Sequence, residues 1–171
     1  MTTSTPKLEV IAPANEPIIV TRRFIKASPS LLFELWTTPE HMKQWLGPRQ
    51  YEMTLCEVDL RVGGGYRYVH RAPDGREYGF HGNYLQIDAP HRMVCTFVFE
   101  MFPQNEVVDT LTLEDKDGGT LVTTHSRHPS IEARNGHLAA GMERGMTEGY
   151  ERMEVLLERL ALRRSRKGDA Q

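Results

Sequence analysis

The chain is poor in cysteine, in long apolar runs and in excess charge of either sign. Cys56 and Cys95 are the only cysteines in 171 residues. They form no CxxC and no metal-ligand spacing, which argues against a disulfide scaffold or a redox pair and for two small buried thiols. No apolar stretch approaches the length that crosses a bilayer. Met1 to Pro17 carry Thr, Pro and Glu where a signal peptide would have its apolar core. A cytoplasmic protein is expected, with no membrane partner. Lys and Arg number 21 against 23 Asp and Glu, a net charge of -2. That balance lacks the basic footprint of a nucleic-acid binder. The one basic cluster, Arg163, Arg164, Arg166 and Lys167, reads as a solvated helix end.

What is present divides into three textures. Residues 1–17 read as a mobile arm. Ile18 to Lys26 reads as a strand, and Ser28-Pro29 as a helix start, with Ser as N-cap and Pro at the first helical position. Thr38-Pro39-Glu40 repeats that start, and Gly47-Pro48 stops the second short helix. From Tyr51 to Arg127 the chain alternates apolar and polar residues between short turns: Gly63-Gly64-Gly65, Pro73-Asp74-Gly75, Asp88-Ala89-Pro90, Pro103-Gln104-Asn105 and Asp117-Gly118-Gly119. Turns this short imply an antiparallel meander. Pro129 to Gly136 reads as a connection that can hold a helical turn.

The last fifth reads as one long amphipathic helix, from about His137 to Arg164. Leu138, Met142, Met146, Tyr150, Met153, Leu157 and Leu160 recur at steps of three and four and share a face. A meander has one apolar face to bury, and a long helix can cover it. The expected fold class is α+β: a strand, two short helices, five or so further strands and a closing helix. The expected domain spans residues 18–164, followed by a flexible tail over 165–171.

Several ordered stretches resemble a known family. They are Arg23-Phe24-Ile25-Lys26-Ala27-Ser28-Pro29 with Leu32 to Glu40, Trp45-Leu46-Gly47-Pro48, Asp59 to Gly64 before Tyr66-Arg67, Gly82-Asn83-Tyr84 with Ile87 and Pro90, Arg92-Met93-Val94, and Met146 to Met153. Together they resemble the START-like superfamily (helix-grip fold, also called SRPBCC). Within it they resemble proteins similar to the activator of heat-shock-protein-90 ATPase. Tyr150 stands where that family usually has Trp. The resemblance covers about residues 18–160. It implies a curved antiparallel sheet of six or seven strands gripping a C-terminal helix, with a cavity between them that opens near the two short helices. It also implies a stress-response setting. The superfamily holds carriers, cyclases and chaperone activators, so fold alone does not choose the function.

Alternation puts Tyr66, Tyr68 and His70 on one strand face and Arg67, Val69 and Arg71 on the other. The first set reads as inward, with Tyr68 and His70 placed to orient a polar group. For Phe80 and Gly82 against His81 and Asn83 the inward set is left open. His125 and His128 are three apart and point to opposite faces of a strand, so no metal and no cofactor is expected. Asp109 reads first as an outward strand carboxylate, with an inward acid of raised pKa as the alternative. Gly141, Gly145 and Gly149 are spaced by four. They leave room for a ligand, pack closely on the sheet, or mark a helix that begins only near Met146. Trp36 and Trp45 suit either the core or a cavity mouth.

The expected function is binding of a small apolar or amphipathic ligand between sheet and closing helix. The expected lining is Trp36, Trp45, Tyr66, Tyr68, His70, Phe97, Phe99, Met142, Met146 and Tyr150. Two alternatives stand beside it: a module that stimulates a chaperone ATPase, and a cyclase-like enzyme using a pocket His or Asp. The expected assembly is a monomer or homodimer.

Overall fold

The computed structural model describes residues 6–169. Ser28 accepts a hydrogen bond from the Leu31 amide and Pro29 takes the first helical position, so α1 runs Pro29–Thr37. Thr38 opens α2, Pro39–Trp45, without a side-chain cap. The strands follow the alternation: β1 Glu9–Ile11, β2 Ile18–Ile25, β3 Glu52–Val58, β4 Gly65–Arg71, β5 Glu77–Asp88, β6 Arg92–Phe99, β7 Val107–Lys116 and β8 Gly119–Arg127. They form one eight-stranded sheet in the order β1-β2-β8-β7-β6-β5-β4-β3. Every neighbouring pair is antiparallel.

α1 and α2 carry the chain from β2, near one edge of this sheet, to β3 at the other edge. Register shifts at Met53/Leu55 and at Tyr84/Gln86 interrupt the ladders, and such bulges bend a sheet.

The arm and the closing helix differ from the sequence reading. Residues 9–11 are not loose: they pair with Val20 to Arg22 as β1. The residues of the arm and tail numbered 1–5 and 170–171 lie outside the described ones. The closing segment is two helices, α3 Ile131–Ala139 and α4 Met142–Gly168. Ser130 caps α3 by accepting from the Ala133 amide. Gly141 has φ +85°, a left-handed conformation that a helix interior does not tolerate, and it separates the two. α4 also runs through residues 165–168, past the expected start of the tail.

The space between sheet and α4 is filled at one half. Met93, Leu111, Leu113 and Val122 from the sheet meet Leu32 and Leu35 of α1 and Tyr150, Met153 and Leu156 of α4 in one buried cluster. Arg23 is buried beside it, donating to Glu154 of α4 at 2.9 Å. Burial of such a cation is tolerable only with a partner of this kind. A second, small cluster joins Met42, Met53 and Tyr68.

Candidate functional site

The other half of the same space is open. A cavity of about 1040 Å³ lies between the sheet, α3 and the first turns of α4. Its sheet wall is Phe97 and Phe99 at the end of β6, Val107 at the start of β7, and His128 just after β8. Phe80 and Tyr78 of β5 and His70 of β4 continue that wall. α3 contributes Ala133 and His137, and α4 contributes Met142, Gly145, Met146, Gly149 and Tyr150. Trp36, Trp45 and the Leu46-Gly47-Pro48 turn close the side next to the short helices.

The aromatic groups are held in place by each other. Trp45 donates its indole N–H to the Leu35 carbonyl at 2.9 Å, which fixes the ring. Trp36 meets it edge-on at 4.7 Å, and Tyr150 stacks against it at 6.4 Å. Across the sheet, Phe80 stacks on Phe97 at 5.7 Å and on Phe99 at 4.9 Å. The inward set on β5, left open by alternation, is therefore the one containing Phe80.

Three histidines lie in this wall. Burial, reinforced by the nearby Arg152 guanidinium, pulls the His70 pKa down to about 4, so the ring is neutral at pH 7. Its Nε2 is buried with no hydrogen-bond partner among the described residues. His128 and His137 form a pair, with Nε2 of the first 2.9 Å from Nδ1 of the second. Burial lowers both pKa values, that of His137 to about 4. No group of three or more His, Cys, Asp or Glu side chains suited to a metal ion occurs among the described residues.

Eight of the ten residues expected from the sequence line the cavity: Trp36, Trp45, His70, Phe97, Phe99, Met142, Met146 and Tyr150. Tyr66 and Tyr68 do not belong to its wall. Tyr68 points inward as expected but packs under Met42 and Met53, and Tyr66 donates its hydroxyl to the Thr96 carbonyl at 2.6 Å. Both face the right side of the sheet; what covers them differs. Sequence reading missed Tyr51, Tyr78, Phe102 and the His128–His137 pair. The Ser130 cap was the available signal for α3, the helix that brings His137 to His128.

Asp109 is not outward. It shares the inner face of β7 with the buried Val107, Leu111 and Leu113. Cys95, Asp109 and Ser126 stand side by side in register across β6, β7 and β8. Each is the next inward position along its strand from the cavity residues Phe97, Val107 and His128. Ser126 donates to Asp109 at 2.5 Å, and burial still pushes the carboxyl up to about 6. Both cysteines are free, and burial pushes the Cys95 thiol up to about 12. A thiol held in that form is a poor nucleophile.

The three glycines on the α4 line have separate reasons. Gly141 breaks the helix. A Cβ on Gly149 would stand 3.2 Å from the Trp45 carbonyl oxygen, so this glycine lets α2 and α4 approach. A Cβ on Gly145 would meet only the Pro48 ring, with Cγ at 3.5 Å and Cδ at 3.9 Å.

An antiparallel sheet closed by a long C-terminal helix, with an aromatic cavity between them, defines a helix-grip protein. The chain belongs to the family described as "Activator of Hsp90 ATPase homolog 1-like protein", whose sequence model matches residues 26–158. No curated protein matches it. Among solved structures it is similar to a protein from Rhodobacter sphaeroides, 29% identical with a TM-score of 0.81, covering 89% of this chain and 99% of the other. A protein from Nitrosomonas europaea is 24% identical with a TM-score of 0.78, covering 86% and 98%. An AHSA1-like protein from Aeromonas hydrophila is 20% identical with a TM-score of 0.67, covering 81% and 93%. The last two likenesses concern the fold alone.

Proposed function

We propose that the protein binds a small apolar or amphipathic molecule in the cavity between its sheet and α4. The observation that carries this reading is the cavity itself: about 1040 Å³, walled mainly by aromatic and aliphatic side chains, with uncharged polar groups and the single carboxylate of Glu132 among them. That size and composition are those of small-molecule sites. Burial of an apolar ligand there stabilises the complex by about 25 cal/mol per Å² of apolar surface removed from water. The free, half-buried Cys56 and Cys95 suit a reducing cytoplasm. Native mass spectrometry of the purified protein, followed by denaturing extraction, tests the reading. A small molecule released on unfolding supports it. An empty protein that also fails to take up a neutral fluorescent apolar probe refutes it.

One observation favours an enzymatic second reading: the inward Asp109, whose carboxyl is close to half protonated near pH 6 and can act as an acid. Full turnover of an identified substrate by Asp109→Asn would remove that reading. Activation of an Hsp90 ATPase is named in the family description and supported by the resemblance alone; adding this protein to an Hsp90 ATPase assay tests it.

A further inference from the structure

A second hollow, of about 280 Å³, lies between the end of α2 and the middle of α4, and none of its residues lines the large cavity. Its charged members are Arg49, in the turn after α2, and Glu151, Arg152 and Arg159 of α4. The Arg49 amide donates to Glu148 at 3.0 Å and its guanidinium pairs with Glu151, so α4 holds that turn in place. Arg152 and Arg159 stand two helical turns apart on one face of α4, about 10.5 Å along the axis.

The charges in this hollow do not balance. Three arginines against one glutamate leave a net charge of +2. The salt bridges of α4 among the described residues are Arg23–Glu154, Arg49–Glu151 and Arg144–Glu148, and none of them takes Arg152 or Arg159. Arg152 is half-buried, and its one hydrogen bond among the described residues goes to the Gly47 carbonyl, at 3.0 Å. Burial pulls its pKa down, the Arg49 charge adds to that pull, and the Glu148 carboxylate opposes it more weakly. A partly desolvated cation beside a second one is costly until an anion joins them. Planar guanidinium forks match the oxygens of a phosphate, and a phosphate monoester carries close to two negative charges at pH 8. A carboxylate would cancel only half of the excess. Val155, 48% exposed in the same hollow, offers an apolar surface beside the arginines.

We propose that this hollow is an anion site, separate from the ligand cavity, and that it takes a phosphate dianion between the guanidiniums of Arg152 and Arg159. The proposal stands independently of the ligand-binding reading.

The test is an NMR chemical-shift titration of the full chain at pH 8 and low salt. The probes are inorganic phosphate, phenyl phosphate and benzoate at matched ionic strength. The expected result is saturable phosphate binding with a Kd of about 1 mM or tighter. Benzoate should bind at least about fivefold more weakly. Phenyl phosphate binding tighter than inorganic phosphate assigns the site to a monoester whose organic part lies on Val155. Equal affinity assigns it to free phosphate, and either result supports the site. Arg159→Gln should weaken phosphate about fivefold, the loss of roughly one exposed ion pair, with thermal unfolding unchanged. Arg163→Gln, one turn further along α4 and outside the hollow, removes the same charge and should leave the affinity as it was. Absence of saturable binding, unchanged affinity in Arg159→Gln, or an equal loss in Arg163→Gln overturns the proposal. Benzoate binding as tightly as phosphate overturns it too. Displacement of N-phenyl-1-naphthylamine, a neutral fluorescent probe of the cavity, by phenyl phosphate would place the phosphate in the cavity and overturn it as well.

Discussion

Gly47 presses on the face of His70: a Cβ at Gly47 would lie 2.4 Å from the imidazole Cε1. Gly47 also has φ +98°, and its carbonyl accepts from Arg152 at 3.0 Å. Gly47→Ala therefore meets both backbone strain and a buried ring with little freedom to move. The expected loss is about 3 kcal/mol in urea unfolding. In a His70→Ala background the same change should cost about 1 kcal/mol, because only the strain persists. Equal costs in the two backgrounds would show that the ring contact is unimportant.

Gly145 and Gly149 of α4 make opposite predictions. Gly145→Ala places its methyl in ordinary contact with Pro48, so the gain in helix propensity should appear as about 0.5–1 kcal/mol of added stability. Gly149→Ala brings its methyl 3.2 Å from the Trp45 carbonyl oxygen, a backbone atom that cannot swing away. Its expected effect is a net loss. Thermal unfolding of both variants should rank Gly145→Ala above the unaltered protein and Gly149→Ala below it.

Met146 lines the cavity from α4, between Gly145 and the fully packed Tyr150 turn. Met146→Trp should fill the space and leave the sheet, α1 and the lower half of α4 as they are. Uptake of N-phenyl-1-naphthylamine should weaken at least about tenfold, a change of about 1.4 kcal/mol. Circular dichroism should stay unchanged. Normal uptake by a folded variant would place the bound molecule elsewhere.

Asp109 makes stability depend on pH in a definite direction. Its folded pKa is raised, from 3.8 to about 6, so the fold prefers the protonated acid. Its stabilising contribution is complete below about pH 4 and is lost as pH rises through about 6. Asp109→Asn mimics the protonated form and keeps an acceptor for Ser126. The variant should be more stable than the unaltered protein by about 3 kcal/mol at pH 8, and the difference should vanish towards pH 4. Taking the difference between the two proteins at each pH cancels the opposing titrations of His70 and His137, whose pKa values are lowered. A pH-independent difference would mean that Asp109 does not titrate in this range.

Local chemistry made much of the fold legible in advance. Ser28-Pro29 could only begin a helix, and the Pro73-Asp74-Gly75 and Asp117-Gly118 turns could only join neighbouring strands antiparallel. Both are properties of a few adjacent residues. The resemblance carried by Trp45 to Pro48 and by the Met146 to Met153 stretch pointed to the helix-grip arrangement, which the sheet order and α4 show. The break at Gly141 was missed because the three-and-four spacing of Leu138, Met142 and Met146 continues across it. A hydrophobic stripe does not report a left-handed residue.

The sequence by itself determined which residues of a strand share a face and where α1 and α2 begin. Only the tertiary structure decided what lies over that face. Tyr68 and His70 sit two positions apart on the same side of β4, yet Met42 and Met53 bury the tyrosine while the histidine reaches the cavity. Period-two alternation fixes a direction, and the residue met in that direction comes from a distant part of the chain. The same holds for His128 and His137, paired only because α3 folds back over the end of β8. It holds also for the row Cys95, Asp109 and Ser126, aligned only by the register of three strands. Core and cavity divide at that row because α1 and the later turns of α4 pack one half of the sheet closely, while α3 and the first turns of α4 stand away from the other.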